Sequence, residues 1–271
     1  MAAGVDLAGK TVLVTGANSG VGYETAAVCA CRGAAVVMAC RSRARGEAAA
    51  AAIATRIRER GSGAPGSVRV MELDVSRLSS VRAFAEAFLA SHSALHVLVN
   101  NAGIGARTHA DAPAGCPSPV RWRRPGNYPR NGSHVTAEGW ELIFATDYIG
   151  PFLLTHLLLP LLRTSAPSRV VNVSSIAGEQ AVIRTMIAGI WVAFFQECQQ
   201  SSCGQDPADF VVSEMPPTTD GGVMVRYGQA KLAQVMHAAE LHRRESALGS
   251  GVTAYSLHPG VINTNVPPRP P

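Results

Sequence analysis

One junction near the start of the chain constrains the fold more than any other feature. Thr11–Thr15, reading TVLVT, runs straight into Gly16-Ala17-Asn18-Ser19-Gly20-Val21-Gly22. A β-branched apolar run reads as a strand, the glycines as a tight turn, and Val21–Arg32 as the helix that follows. Glycine in such a turn lets the backbone approach a phosphate closely, and the helix N-terminus favours its negative charge. The same strand–helix beat then repeats. Ala34–Cys40, Val68–Leu73, His96–Asn100, Arg169–Ser174 and Val252–His258 read as further strands. Between them Arg45–Arg60, Leu78–Ser91, Trp140–Leu162 and Gly228–Glu245 read as helices. Strands that are apolar on both faces and alternate with helices predict an α/β fold, a Rossmann-type doubly wound parallel sheet in the order 3-2-1-4-5-6.

The 271 residues are read as a single dinucleotide-binding domain spanning 1–271, with insertions at about 105–136 and 179–226 where the periodicity lapses. A hydrophobic share of 47% with 16% charged residues supplies a core and excludes a disordered chain. The net charge of +5 with only 6% aromatics suits a small anionic ligand, and no nucleic-acid partner is expected. Arg121-Trp122-Arg123-Arg124 is read as a solvated loop. The six cysteines show no metal-ligand spacing, and no metal is expected. Met1–Lys10 lacks an apolar run, and Phe152–Leu162 and Met186–Phe195 are too short to span a bilayer. An intracellular, cytoplasmic protein is the expectation, with contact to a membrane surface left open.

Three features carry chemistry without any comparison. Tyr227 and Lys231 are four apart, so a helix places them on one face. An ammonium beside a phenol favours the ionised form, which suits proton transfer. Of 24 basic residues only Lys10 and Lys231 are lysine, so the pairing is hard to reach by chance. Arg41 follows the second strand, where an NADP site presents a cation to the 2′-phosphate and an NAD site presents a carboxylate. Ser174 and Ser175 end the fifth strand, on the edge where this sheet type binds ligands.

Taken together, TGANSGVG (15–22), LDV (73–75), NNAG (100–103), VNVSSIAG (171–178), YGQAK (227–231) and HPG (258–260) resemble the short-chain dehydrogenase/reductase family. ACRSRARGEAAA, HVLVNNAG and GPFLLTHLLLPLL are similar to its retinol dehydrogenase-like branch. The resemblance implies that Gly16, Ser19, Gly20 and Gly22 cradle a pyrophosphate. It implies that Asp74 meets the adenine amine and that the backbone of Asn100, Ala102 and Gly103 lines the adenosine ribose. Ser175 would hydrogen-bond the substrate oxygen and Tyr227 would carry the proton. Lys231 would bind the nicotinamide ribose, with Pro259, Gly260 and Thr264 against the nicotinamide end.

This chain departs from the family pattern in three places. Asp147 stands where the family has a helix asparagine, adding a negative charge expected to pair with Lys231 and blunt its effect on Tyr227. The separation of Ser175 from Tyr227 is longer than the branch shows, and the family's last strand is expected to be missing. The leading reading is an oxidoreductase that uses NADP (NADPH) to interconvert an alcohol and a carbonyl on an apolar substrate such as a retinoid, fatty aldehyde or steroid. The alternative is a dinucleotide-binding protein with little turnover that acts through protein interactions.

Overall fold

The structure, a computed structural model, describes residues 5–60, 66–105, 135–179 and 223–260. Nearly all of both expected insertions lies outside the described residues, as do Thr264 and the Arg121–Arg124 cluster. The elements alternate as β1 (Thr11–Thr15), α1 (Gly20–Cys31), β2 (Ala35–Cys40), α2 (Arg43–Arg60), β3 (Ser67–Glu72), α3 (Leu78–Ser91) and β4 (Val97–Asn100). There follow α4 (Leu142–Thr164), β5 (Ser168–Val173), α5 (Val223–Ala247) and β6 (Val252–Leu257). All six strands are parallel and lie in the order β3-β2-β1-β4-β5-β6, as the alternation implied. The order reverses between β1 and β4, which opens a crevice at their C-terminal ends.

Successive residues of β1 feed opposite faces of the sheet, as strand geometry requires. Val12 and Val14 join one core with Val36, Met38 and the alanines Ala26, Ala27 and Ala30 of α1. Leu13 points the other way, into a core built with Phe84, Phe88, Leu154, Leu158 and Leu162 of α3 and α4. The alanine face lets α1 lie close on the sheet, which brings its N-terminus to the end of β1. The edge strands differ from the central ones: β3 and β6 are only partly covered, and their alternation reflects one wet side.

The last helix is longer than the sequence implied. α5 starts at Val223 rather than Gly228, so Tyr227 sits inside the helix instead of ahead of it. The apolar run Phe152–Leu162 lies within a 23-residue helix, Leu142–Thr164, long and apolar enough to cross a membrane by length and composition. Of its apolar window 72% is buried inside the fold, where it forms the floor of one core. Residues Ala145–Ile149 of α4 form a π-helical turn. At the far end of α4, Arg163 forks onto Glu245 of α5 through two hydrogen bonds of 2.9 and 2.6 Å, fixing how the two helices lie.

Candidate active site

The first turn is built by close approach to the loop after β4. Gly16 and Gly20 take φ values of +66° and +58°, which glycine adopts without strain. A Cβ on Gly22 would collide with the Asn101 amide and the Gly16 carbonyl. Thr15 Oγ1 accepts from the backbone N–H of both Asn101 and Ala102 at 3.0 Å, and Asn101 Nδ2 donates to the Thr15 carbonyl at 2.8 Å. The Asn101 side chain, which the sequence reading left out, is therefore the stitch between turn and loop. Ser19 precedes α1 and makes no side-chain cap, and the first turn of α1 holds no acidic residue. Its end thus remains suited to an anion.

Arg41 lies exposed just after β2. Arg43 sits on α2 and pairs with Glu47 at 3.4 Å. The Asp74 carboxylate accepts from the backbone N–H and hydroxyl of Ser76 through Oδ1, which fixes its direction. The Asn100 side chain turns into the core, donating to Thr155 Oγ1 at 2.9 Å and Asn172 Oδ1 at 3.0 Å. Pro259 and Gly260 follow β6 at the same edge of the sheet as Ser175, and Gly103 is exposed.

The chemical half of the site is buried. Lys231 is 4% exposed, and its ammonium stands 5.3 Å from the centre of the Tyr227 ring, as their spacing on one helix face implied. The ring itself is half-buried, with its edge against Gly105. Ser174 and Ser175 separate in role. Ser174 is buried and donates to the Lys231 carbonyl at 2.7 Å, which ties β5 to α5. Ser175 is half-buried and its Oγ accepts from the Ala177 N–H at 3.3 Å, leaving the hydroxyl proton to donate elsewhere.

Asp147 is fully buried in the π-turn, with Oδ1 accepting from the Ile104 N–H at 2.7 Å. Its Oδ2 lies 3.2 Å from Lys231 Nζ, a charge contact that lacks the alignment of a hydrogen bond. The expected pairing of Asp147 with Lys231 is therefore present. Burial pushes the Asp147 carboxyl up from its ordinary value, while Lys231 and then the Ile104 N–H pull it back part of the way. Lys231 also donates to the Val173 carbonyl at 3.0 Å and to Gln234 Oε1 at 3.2 Å. Gln234 was not singled out from sequence, although a polar residue three after Lys231 on an apolar helix face is a readable signal.

The model of the short-chain dehydrogenases matches residues 10–187, which include the turn, the NNAG loop, Asp147 and Ser175. The chain belongs to the short-chain dehydrogenase family. Among its relatives in the family, dehydrogenase/reductase SDR family member 13 of Bos taurus is 40% identical over 96% of this chain and 53% of its own length. Human retinol dehydrogenase 11 is 38% identical over 97% and 64%. The WW domain-containing oxidoreductase of Danio rerio is 37% identical over 95% and 50%. The chain thus spans between about half and two-thirds of the length of these relatives. An uncharacterized protein from Mycobacterium paratuberculosis superposes with a TM-score of 0.61 at 34% identity, covering 96% of this chain and 72% of that one. A Pseudomonas aeruginosa RhlG/NADP active-site complex gives 0.60 at 25% identity, covering 96% and 75%.

Proposed function

We propose that this chain is an NADP(H)-dependent oxidoreductase that interconverts an alcohol and a carbonyl on an apolar substrate of the retinoid, fatty aldehyde or steroid type. The observation that carries the reading is the Tyr227 ring, half-buried on one helix face with the Lys231 ammonium 5.3 Å from its centre. The names of the retinol dehydrogenase relatives support the reaction and substrate classes.

The residues present fit a dinucleotide. The glycine turn closes against Asn101 without side chains in the way, and the uncapped N-terminus of α1 offers donors to a pyrophosphate. Gly16, Ser19, Gly20 and Gly22 would hold that group, with Asp74 and the backbone of Asn100, Ala102 and Gly103 along the adenosine and Pro259, Gly260 and Thr264 towards the nicotinamide. Arg41 would meet a 2′-phosphate. When bound, the nicotinamide supplies or receives the hydride. Tyr227 then gives its proton to the substrate oxygen during reduction and takes it back during oxidation. Ser175 donates a hydrogen bond to the same oxygen, where negative charge develops. Lys231 sets the charge next to the phenol, and Asp147 moderates it.

Two substitutions test the reading. Tyr227→Phe keeps the ring and removes the proton donor, so turnover on an aldehyde panel falls about 100- to 10,000-fold while NADPH fluorescence titration is unchanged. Arg41→Asp puts a carboxylate where the 2′-phosphate would lie, so the ratio of NADPH to NADH affinity inverts. Equal affinity of the native chain for both dinucleotides would remove the NADP assignment. The Asp147–Lys231 ion pair favours the second reading, a dinucleotide-binding protein with little turnover, and NADPH binding without oxidation on any aldehyde would select it.

A further inference from the structure

Gln234 takes no part in the chemistry described so far. It is 1% exposed, as deeply placed as the core leucines. A primary amide is costly to bury unless its donor and acceptor ends are both bonded. Gln234 meets that condition by bridging two elements of the site. Its Nε2 donates to the carbonyl oxygen of Asp147 at 2.7 Å, and its Oε1 accepts from Lys231 Nζ at 3.2 Å. The Asp147 carbonyl belongs to the π-turn Ala145–Ile149. Such a turn disturbs the regular helix ladder, and here one of its carbonyls accepts from a side chain of another helix.

The ammonium of Lys231 has three protons. The Val173 carbonyl takes one at 3.0 Å and Gln234 another at 3.2 Å, while Asp147 Oδ2 faces it at 3.2 Å without hydrogen-bond alignment. Val173 is backbone and fixed, and Asp147 fixes charge more than direction. Gln234 is therefore the side chain that sets the direction of the ammonium. The geometry points to Gln234 as a positioning residue: its amide clamps Lys231 to the π-turn of α4 and so holds the ammonium beside Tyr227. The effect of this clamp on rate rests on the oxidoreductase reading; the clamp itself does not.

The chain contains two lysines, Lys10 and Lys231, so labelling lysine with nitrogen-15 gives two ammonium signals, and Lys10→Arg assigns them. In the native protein without dinucleotide, the Lys231 signal persists near neutral pH because its protons are held away from water. Gln234→Met keeps the length and removes the amide, and exchange of the Lys231 protons with water accelerates about ten- to a hundredfold. Gln234→Glu keeps the acceptor but loses the donor to the Asp147 carbonyl, so Lys231 exchange falls between the native and Met values. On a carbonyl substrate, Gln234→Met lowers kcat about tenfold while KM stays near the native value.

Should Gln234→Met fail to fold, Gln234→Asn carries the same comparison, being one methylene short of spanning both partners. Unchanged Lys231 exchange in a folded Met or Asn variant overturns the clamp; faster exchange with an unchanged variant kcat, where the native chain turns over, overturns its effect on rate. A native chain that turns over no carbonyl defeats the oxidoreductase reading instead, and the exchange measurement then decides the clamp alone.

Discussion

The two halves of the sheet bury different kinds of side chain. Before β4, the buried polar side chains among the described residues are Thr15 and Ser76, and the core around α1 is valine, methionine and alanine. From Asn100 onwards the interior holds Asn100, Glu141, Asp147, Thr155, Asn172, Lys231, Gln234, His237 and Glu245 among others. The first half shapes its part of the site with backbone: glycines, a helix end and a threonine that accepts two N–H groups. The second half shapes its part with charges and amides taken out of water. Backbone geometry tolerates no extra atoms, whereas a buried polar network depends on each partner being present.

The largest effect expected from breaking this contrast lies in the polar half. His237 is 4% exposed, 4.8 Å from the Phe152 ring and 3.4 Å from Asn172 Nδ2. Burial, and then the neighbouring His156, pushes its imidazole down from 6.5 to about 4. Between those values the unfolded chain binds a proton that the folded chain refuses, so stability rises with pH across that window. His237→Phe removes a contribution on the order of 3 kcal/mol over the window. Thermal unfolding followed from pH 4 upward shows a flatter dependence in the variant.

The backbone half is broken by adding a single carbon. Gly22→Ala drives a methyl into the Asn101 amide and the Gly16 carbonyl. Overpacking of this kind costs about 1–3 kcal/mol and shifts the turn itself. The expected result is a lower melting temperature together with weaker NADPH binding. A variant that kept both native values would show that the turn yields more freely than its contacts imply.

How much of this was legible in the sequence follows the same division. The strand order, the position of the glycine turn and the Tyr227–Lys231 face were readable because each rests on local periodicity or spacing. The separate tasks of Ser174 and Ser175 were readable only through resemblance, and the structure gives a reason: one hydroxyl is used up on the Lys231 carbonyl. The Asp147–Lys231 pair could be anticipated because both positions matched a known pattern. Asn101 and the inward turn of Asn100 were not readable, since their partners lie 86 and 55 positions away, and of Gln234 only the spacing to Lys231 was readable, its Asp147 partner lying 87 positions away.

The central claim is that Asp147, buried and 3.2 Å from Lys231, moderates the charge that acts on Tyr227. The pH–rate profile of alcohol oxidation by the native chain and by Asp147→Asn tests it most directly. Replacing the carboxylate by a neutral amide leaves the ammonium uncompensated, which favours the phenolate. The account therefore predicts that the alkaline-favoured limb of the rate profile moves to lower pH and that the rate near neutrality rises. Superimposable profiles from two folded, dinucleotide-binding proteins would contradict it.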